Sequence, residues 1–134
     1  MLEGLKFHHI GVAAHDIEKE LTHYSYLGYQ LEGSMFVDPL QGVRGCFITA
    51  DNQPRLEILV NHGESTMLNS WLENGIKFYH FAYETNDIFT TISELEKKRA
   101  KVIVKPKPAV AFNNRLICFL VIPNMLLIEL IEQG

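Results

Sequence analysis

The sequence predicts an α+β protein made of two copies of one β-α-β-β-β module. The first observation is a segment near the N-terminus, FHHIGVAAHDI at residues 7–17, which is repeated in similar form as FYHFAYETNDI at residues 78–88. The second is a set of further matches at an offset of 72 residues: Cys46-Phe47 with Cys118-Phe119, and Glu57 with Glu129. The third is that each phrase precedes the same series of one helical and three strand-like segments. The whole chain is therefore interpreted as an internal duplication, with two copies of one module.

The first module is predicted over residues 5–60. Its opening strand covers residues 5–13, and Asp16 then caps a helix whose apolar residues recur at helical spacing until Gly28 ends it. Runs rich in β-branched and aromatic residues, separated by turns that contain Pro, Gly, Asn or Asp, predict the remaining strands. These strands are expected at residues 29–37, 43–50 and 55–60.

The second module is predicted over residues 77–131 and repeats this order. A strand at residues 77–85 precedes a helix that starts at Asn86 or Asp87 and runs to about Arg99. Further strands are expected near residues 101–105, 115–122 and 125–131. A connector at residues 61–76 contains TMLNSWLEN, a short helix candidate that Gly75 ends. Residues 1–134 are interpreted as a single domain.

Composition and charge exclude several classes of protein. A net charge of −4 lacks the clustered positive charge that nucleic-acid binding requires. No apolar run approaches the ~20 residues that span a bilayer, and the start MLEGLKFHH lacks the profile of a signal peptide. A cytoplasmic protein without a membrane or nucleic-acid partner is therefore expected. Cys46 and Cys118 lie in apolar runs and are predicted to be reduced and buried.

Four ionisable residues stand in the middle of predicted strands with apolar neighbours: His9, Glu57, His80 and Glu129. Because side chains alternate along a strand, each faces away from the side on which its neighbours pack. A carboxylate within LEILV or LIELI is costly unless it is neutralised, paired or bound to a metal ion. The duplicated pattern predicts that the four converge on one divalent ion. Nitrogen and oxygen ligands without thiolate suit Mn, Co, Ni, Fe or Zn.

The same four residues also have a structural interpretation. A single histidine in a strand is more often a hydrogen-bonded residue than a ligand, and a glutamate on an exposed sheet face requires no explanation. For any one residue alone this interpretation is the better one. Only the duplication of the whole set favours a metal site.

The motifs that surround these residues are HHIGVAAHDIEKEL, QGVRGCFI, PRLEILV, YHFAYETNDI and FLVIPNMLLIELIEQ. They resemble the vicinal oxygen chelate superfamily, which includes glyoxalase I, methylmalonyl-CoA epimerase, extradiol dioxygenases and bleomycin-resistance proteins. The resemblance covers nearly the entire chain and is closest to the methylmalonyl-CoA-epimerase-like branch. It implies a glyoxalase-like fold, in which paired βαβββ modules form a curled, partly open sheet around a metal cleft.

The resemblance also implies roles for the four residues. His9, Glu57, His80 and Glu129 correspond to the metal ligands, and the metal stabilises an enolate or enediolate while a carboxylate moves the proton. Glu129, and secondarily Glu57, are the candidates for that catalytic role, on the condition that the carboxylate loosens from the metal during the cycle. The implied activity is that of an isomerase, epimerase or lyase on a small acid, thioester or thiol adduct, and a homodimer is the expected assembly.

One departure from the family pattern concerns the turn before QGV. The epimerase-like branch commonly carries an acid there, whereas this chain has Leu40, and Asp38 substitutes for that acid only if the loop is rearranged. Leu40 therefore argues against two-base epimerisation. The alternative is a protein that binds and sequesters a small molecule, as bleomycin-resistance proteins do. A ring-cleaving iron dioxygenase is less favoured, because those enzymes use two histidines and one carboxylate.

Three basic residues are candidates for substrate binding. Lys107 and Arg115 belong to the loop region KPKPAVAFNNR, which is interpreted as a segment that closes over an anionic substrate. Arg44 is expected to face either the same cleft or solvent. The alternative for all three residues is that they are solubilising surface charges.

Overall fold

The predicted order of elements is present in the computed structural model, which describes residues 2–134. The first module contains β1 (Lys6–Ala13), α1 (Ile17–Ser25), β2 (Gln30–Asp38), β3 (Val43–Thr49) and β4 (Leu56–Asn61). The connector contains a short helix, α2 (Asn69–Glu73). The second module contains β5 (Phe78–Thr85), α3 (Ile88–Lys97), β6 (Lys101–Pro108), β7 (Leu116–Val121) and β8 (Leu127–Glu132), with a 3-10 turn at Val110–Phe112.

Within residues 2–134, eight strands form one mixed sheet in the order β2-β3-β4-β1-β5-β8-β7-β6. In the first module β4 runs parallel to β1 and antiparallel to β3. In the second module β8 runs parallel to β5 and antiparallel to β7. The last strand of each module therefore has a neighbour on both sides, while β2 and β6 are the two outermost strands. The α+β fold predicted from the repeat is confirmed.

One compact unit consists of His9–Tyr79. Its core lies between α1 and the sheet, because the apolar stripe of α1 faces the strand residues of one side. Asp16 begins this helix by accepting a hydrogen bond from the backbone N–H of Lys19 at 3.1 Å. The core residues include Val12, Ile17, Cys46, Ile48 and Ile58, which are at most 4% exposed.

The other compact unit joins the residues up to His8 to His80–Gly134. The start of β1 belongs to this unit, since the ring of Phe7 lies 6.2 Å from that of Phe81 and 5.8 Å from that of Tyr83. Its core again lies between a helix and one side of the strands. The core residues include Ile88, Ile92 and Leu95 of α3 with Cys118, Leu120, Ile128 and Leu130.

Two of the element ends in the second module that differ from the predictions have a clear physical reason. The strand predicted to end at residue 105 continues to Pro108, because β6 is an outer strand and proline is tolerated where no ladder N–H is needed. The helix predicted to reach Arg99 ends at Lys97, and Arg99 itself adopts a left-handed conformation with φ of 71°. That conformation terminates the helix although no glycine is present.

No helix within residues 2–134 has both the length and the apolar character needed to cross a membrane.

Candidate metal centre

Glu57 occupies a central strand of the first module, where its neighbours differ in size. The register aligns Glu57 of β4 with Gly11 of β1 on one side and with Phe47 of β3 on the other. Residues that are directly opposite each other in neighbouring strands share a face of the sheet. The carboxylate therefore stands on the face opposite the α1 core, between a residue without a side chain and an aromatic ring.

His9 lies on the same face, two residues before Gly11 in β1. Its side chain is fully buried, and its Nε2 atom is 3.1 Å from Oε1 of Glu57. The ring of Phe47 meets the imidazole edge-on, with centroids 5.3 Å apart and an interplanar angle of 73°. The first module thus presents one buried imidazole and one buried carboxylate as a pair.

The second module repeats this arrangement at the duplicated positions. Glu129 of β8 is aligned with Ala82 of β5 and with Phe119 of β7. His80 Nε2 is 3.2 Å from Oε1 of Glu129, and its ring lies 5.2 Å from that of Phe119 at 85°. The sequence repeat therefore corresponds to a repeated three-residue geometry and not only to a repeated fold.

The structure brings the four predicted ligands together as a possible metal site. Each of them offers one ring nitrogen or carboxylate oxygen, and these atoms lie within 4.8 Å of one another. The four residues are 0% (His9), 4% (Glu57), 1% (His80) and 3% (Glu129) exposed. Buried carboxylates are costly unless they are neutralised, paired or bound to a cation. The donor set of two imidazoles and two carboxylates fits a divalent first-row ion, whose charge balances that of the two glutamates.

Arg44 lies on the other face of the sheet. In β3 it alternates with Phe47, and its partner in the register is Val60, a member of the core beneath α1. Its side chain is exposed at the margin of that core. The structure therefore does not bring Arg44 together with the four predicted ligands, and its predicted role in substrate binding stays a prediction.

Arg115 is engaged in contacts within the second module. Its Nη1 atom is 3.2 Å from a carboxylate oxygen of Glu84 and donates to the backbone carbonyl of Glu132 at 3.1 Å. Its Nε atom donates to the carbonyl of Phe112, and its guanidinium lies 5.8 Å from the ring centroid of that residue. These contacts hold the ends of β5, β7 and β8 together, which is a structural use of the side chain.

Lys107 is the basic candidate that the register places on the face of the second ligand pair. It is aligned with Ile117, which alternates with Cys118 in β7 and therefore shares a face with Phe119. Phe36 is the corresponding residue of the first module, because it is aligned with Gly45 at the equivalent place in β3. One module thus has an aromatic ring where the other has a cation.

The turn between β2 and β3 contains the departure from the family pattern. Leu40 is 62% exposed and has no ionisable group. Asp38 is 2% exposed and accepts hydrogen bonds from the backbone N–H and the side-chain amide of Gln41, at 3.3 and 2.8 Å. Asp38 therefore stabilises this turn.

The two cysteines are free and buried, as the sequence predicted. Burial, followed by the nearby charges of Glu57 and Glu18, raises the pKa of Cys46 to about 11. Burial, followed by the charge of Glu96, raises the pKa of Cys118 to about 11. Both thiols are protonated at neutral pH, so they are unsuited to act as nucleophiles or as soft metal ligands.

Sequence reasoning did not assign Phe47 and Phe119 to the site. Aromatic residues in apolar strands are usually core residues, so composition gave no reason to separate these two. The available signal was the Cys-Phe match at an offset of 72 residues. It places Phe47 and Phe119 at the same sequence separation from Glu57 and Glu129, respectively.

Comparison with known proteins identifies the family. A model of the glyoxalase/bleomycin resistance protein/dioxygenase superfamily matches residues 8–119, which confirms the resemblance found in the sequence. A search of curated protein sequences found no significant match.

Solved structures share the fold at low sequence identity. Methylmalonyl-CoA epimerase from Mycobacterium tuberculosis has a TM-score of 0.80 at 20% identity, over 100% of this chain and 93% of that one. A variant of Streptomyces coelicolor methylmalonyl-CoA epimerase, in complex with 2-nitronate-propionyl-CoA, has a TM-score of 0.76 at 20% identity, over 98% and 99%. A hypothetical protein from Bacillus halodurans C-125 has a TM-score of 0.76 at 25% identity, over 97% and 95%. These similarities confirm the glyoxalase-like fold.

Proposed function

The chain belongs to the glyoxalase/bleomycin resistance protein/dioxygenase superfamily, and we propose that it is a divalent-metal-dependent isomerase, epimerase or lyase that acts through an enolate. The observation that carries this proposal is the group of four buried ligand atoms within 4.8 Å of one another. His9, Glu57, His80 and Glu129 would hold the ion, which would be Co, Ni, Mn, Zn or Fe. When bound, such an ion supplies Lewis-acid stabilisation of negative charge on substrate oxygens.

The residues of the chain supply the proton chemistry in this proposal. A carboxylate within hydrogen-bonding reach of a carbon-bound proton acts as the general base, and a proton then returns to the same carbon in an epimerisation or to another carbon or an oxygen in an isomerisation. Glu129 is the first candidate and Glu57 the second. Because Leu40 has no ionisable group, the proposal assigns the proton transfer to one base and not to a pair on opposite sides of the substrate.

The proposed substrate is a small carbon acid, thioester or thiol adduct with two neighbouring oxygens. The similarity to methylmalonyl-CoA epimerases favours an acyl thioester within this group. Lys107 supports an anionic substrate, since it lies on the face of the second ligand pair. Arg115 is proposed only as a secondary contact because Glu84 already engages its guanidinium.

Metal analysis combined with deuterium exchange tests the proposal. Purified protein should contain close to one divalent ion per chain, and it should exchange the acidic proton of an accepted carbon acid for deuterium in heavy water. Exchange should stop after chelation and return with the metal. Full activity in a metal-free preparation would contradict the proposal.

A matched pair of variants separates the ligand set from other histidines. His80→Ala should lose both metal and exchange, because it removes one of the buried ligands. His15→Ala changes an exposed histidine outside the ligand set, so metal content and exchange should remain those of the unchanged protein. Equal metal content in the two variants would exclude His80 as a ligand.

Sequestration of a small molecule is the second candidate function. The observation that favours it is the apolar, exposed Leu40 in place of an acid. A binding protein would retain metal or ligand and would be stabilised by it, but it would not exchange the proton of any carbon acid. Melting temperatures with and without chelator, measured beside the exchange assay, distinguish the two functions.

We also propose that the protein is a cytoplasmic homodimer, as the sequence analysis expected. Exposed apolar residues of the outer strand β2 support the dimer, since an exposed sheet edge with apolar side chains is open to pairing with another chain. They are Leu31, Met35 and Val37. Light scattering after gel filtration should give twice the chain mass, and a monomer at micromolar concentration would contradict the homodimer.

A further inference from the structure

We propose that Phe47 and Phe119 are positioning residues that orient His9 and His80 for metal binding. This inference rests on the proposed function, because it concerns the same ligand set. It adds two residues to the four that the sequence indicated. The steps that support it are taken within each module separately.

The register gives the first step. Phe47 is directly opposite Glu57 across the β3–β4 pair, and Phe119 is directly opposite Glu129 across the β7–β8 pair. Each aromatic ring therefore stands on the ligand side of its sheet, next to a buried carboxylate. The position is the same in both modules.

Ring geometry gives the second step. Each phenylalanine meets the imidazole of its module edge-on, at 5.3 Å and 73° for His9 and at 5.2 Å and 85° for His80. Edge-to-face contacts of this kind are favourable beyond the area that they bury. A ring at this place limits rotation of the imidazole, so Nε2 stays directed at the carboxylate of its own pair.

Position relative to the helix-facing core clusters gives the third step. The two core clusters include the preceding residues Cys46 and Cys118, whose side chains point to the opposite face, but they do not include Phe47 or Phe119. Packing of the helices against the sheet therefore does not account for these two rings. Each ring contacts the histidine of its own module, and Phe47 also lies 6.0 Å from the ring of Phe36.

The small residues on the other side of each carboxylate complete the arrangement. Gly11 and Ala82 are aligned with Glu57 and Glu129, respectively. Each carboxylate thus has an aromatic residue on one side and a small residue on the other. The ring keeps water from that side, and a lower local dielectric strengthens the attraction between a carboxylate and a cation.

Cobalt binding tests this inference without an activity assay. Phe47→Leu and Phe119→Leu keep apolar volume but remove the ring, so each should weaken Co²⁺ affinity by about tenfold, as loss of an outer contact of a ligand typically does. The visible absorption bands of bound Co²⁺ should also change, because the imidazole direction changes. Phe47→Tyr keeps the ring and should therefore retain the Co²⁺ affinity and the spectrum of the unchanged protein.

Phe81→Leu is the matched control. Phe81 follows His80 in β5, but its register partner Ile128 belongs to the core, so its ring lies on the opposite face. This variant should lower the melting temperature in chelator without changing the Co²⁺ spectrum. Circular dichroism verifies the fold of each variant, and Phe47, which is only partly buried, provides a readout if Phe119→Leu does not fold.

The outcomes distinguish this inference from the proposed function. If the unchanged protein binds Co²⁺ and both leucine variants bind it with the same affinity and spectrum, the positioning role is wrong while the metal site stands. If the unchanged protein binds no divalent ion, the proposed function fails, and the positioning role fails with it.

Discussion

The two modules keep the same buried site but have different outer strands. His9, Glu57 and Phe47 of the first module have the same geometry as His80, Glu129 and Phe119 of the second, with distances of 3.1 and 3.2 Å between the histidine Nε2 and the glutamate Oε1. The outer strands β2 and β6 occupy equivalent places but share little chemistry. The comparison indicates that a buried ligand pair restricts substitution more than a sheet edge does.

The two outer strands differ in how well their residues prevent pairing with a strand of another molecule. β6 contains three lysines and two prolines, which are the usual means of preventing unwanted strand pairing. β2 contains neither type of residue and exposes Leu31, Met35 and Val37. The edge of the second module is therefore protected against association, whereas that of the first is open to it.

Substitution of the two glutamates should have the largest effect on function. Glu129→Gln removes the proposed base, so deuterium exchange should fall by about 10²–10⁴-fold. Both substitutions remove a ligand charge and should lower metal affinity, but Glu57→Gln leaves the first-choice base in place and should lower exchange less. Exchange rates measured at saturating metal compare the two variants. Equal rates for both would assign no special role to Glu129.

Cavities in the two cores should have the next largest effect. Ile58 and Leu130 occupy duplicated positions and are both fully buried, so Ile58→Ala and Leu130→Ala should each lower the free energy of unfolding by about 2–5 kcal/mol. Urea titration followed by circular dichroism measures this change. Ile103→Ala, at a residue that is 59% exposed, is the control and should have little effect. A large loss in only one core would mean that the modules differ in stability.

Adding a charge to β2 and removing one from β6 should have opposite effects on self-association of the protein. Met35→Lys places a charge on β2, so it should reduce dimerisation if β2 is the contact surface. Lys105→Ile removes a charge from β6 beside the exposed Ile103, so it should increase aggregation. Light scattering as a function of protein concentration measures both effects. A dimer that is unchanged in Met35→Lys would place the interface elsewhere.

The helix caps should show the smallest effect, and it should depend on pH. Hydrogen bonds from the Thr90 backbone N–H and hydroxyl lower the pKa of Asp87. Because the pKa is lower in the folded protein, the stabilisation is present above the unfolded pKa and is lost as pH falls through the folded value.

Asp87→Ala should therefore lower the melting temperature at neutral pH, and its difference from the unchanged protein should disappear well below about pH 4. Asp16→Ala is the counterpart in the first module. Asp16 accepts from the N–H of Lys19, whereas Asp87 accepts from both Phe89 and Thr90, so the Asp16 variant should lose less. A difference that persists at low pH would show that the loss does not arise from the charge of Asp87.

Much of the fold was predictable because the signals are local. The helices begin at Asp16 and Asp87, whose side chains satisfy free backbone N–H groups whatever the rest of the chain does. The end of β6 was not predictable, since proline terminates a central strand and is tolerated in an outer one. Which strand is outermost depends on tertiary pairing.

The candidate site was predictable in part for the same reason. The period of a strand placed His9 and Glu57 away from their apolar neighbours, and the repeat identified the second pair. The face of Arg44 and the contact of Arg115 with Glu84 were not predictable, because they depend on strand register and on residues that are distant in the chain.

By itself, the sequence determined the duplicated βαβββ order and identified four ionisable residues as candidate metal ligands. Both follow from the hydrophobic period and the internal repeat, which are properties of the linear chain. Only the tertiary structure decided which side chains meet those residues. Phe47 and Phe119 contact the histidines, and Arg44 lies on the other face of the sheet. Asp38 accepts a hydrogen bond from Gln41 within its own turn. The physical reason is register: a shift of one residue between neighbouring strands reverses every face, and pairing between distant segments sets that register.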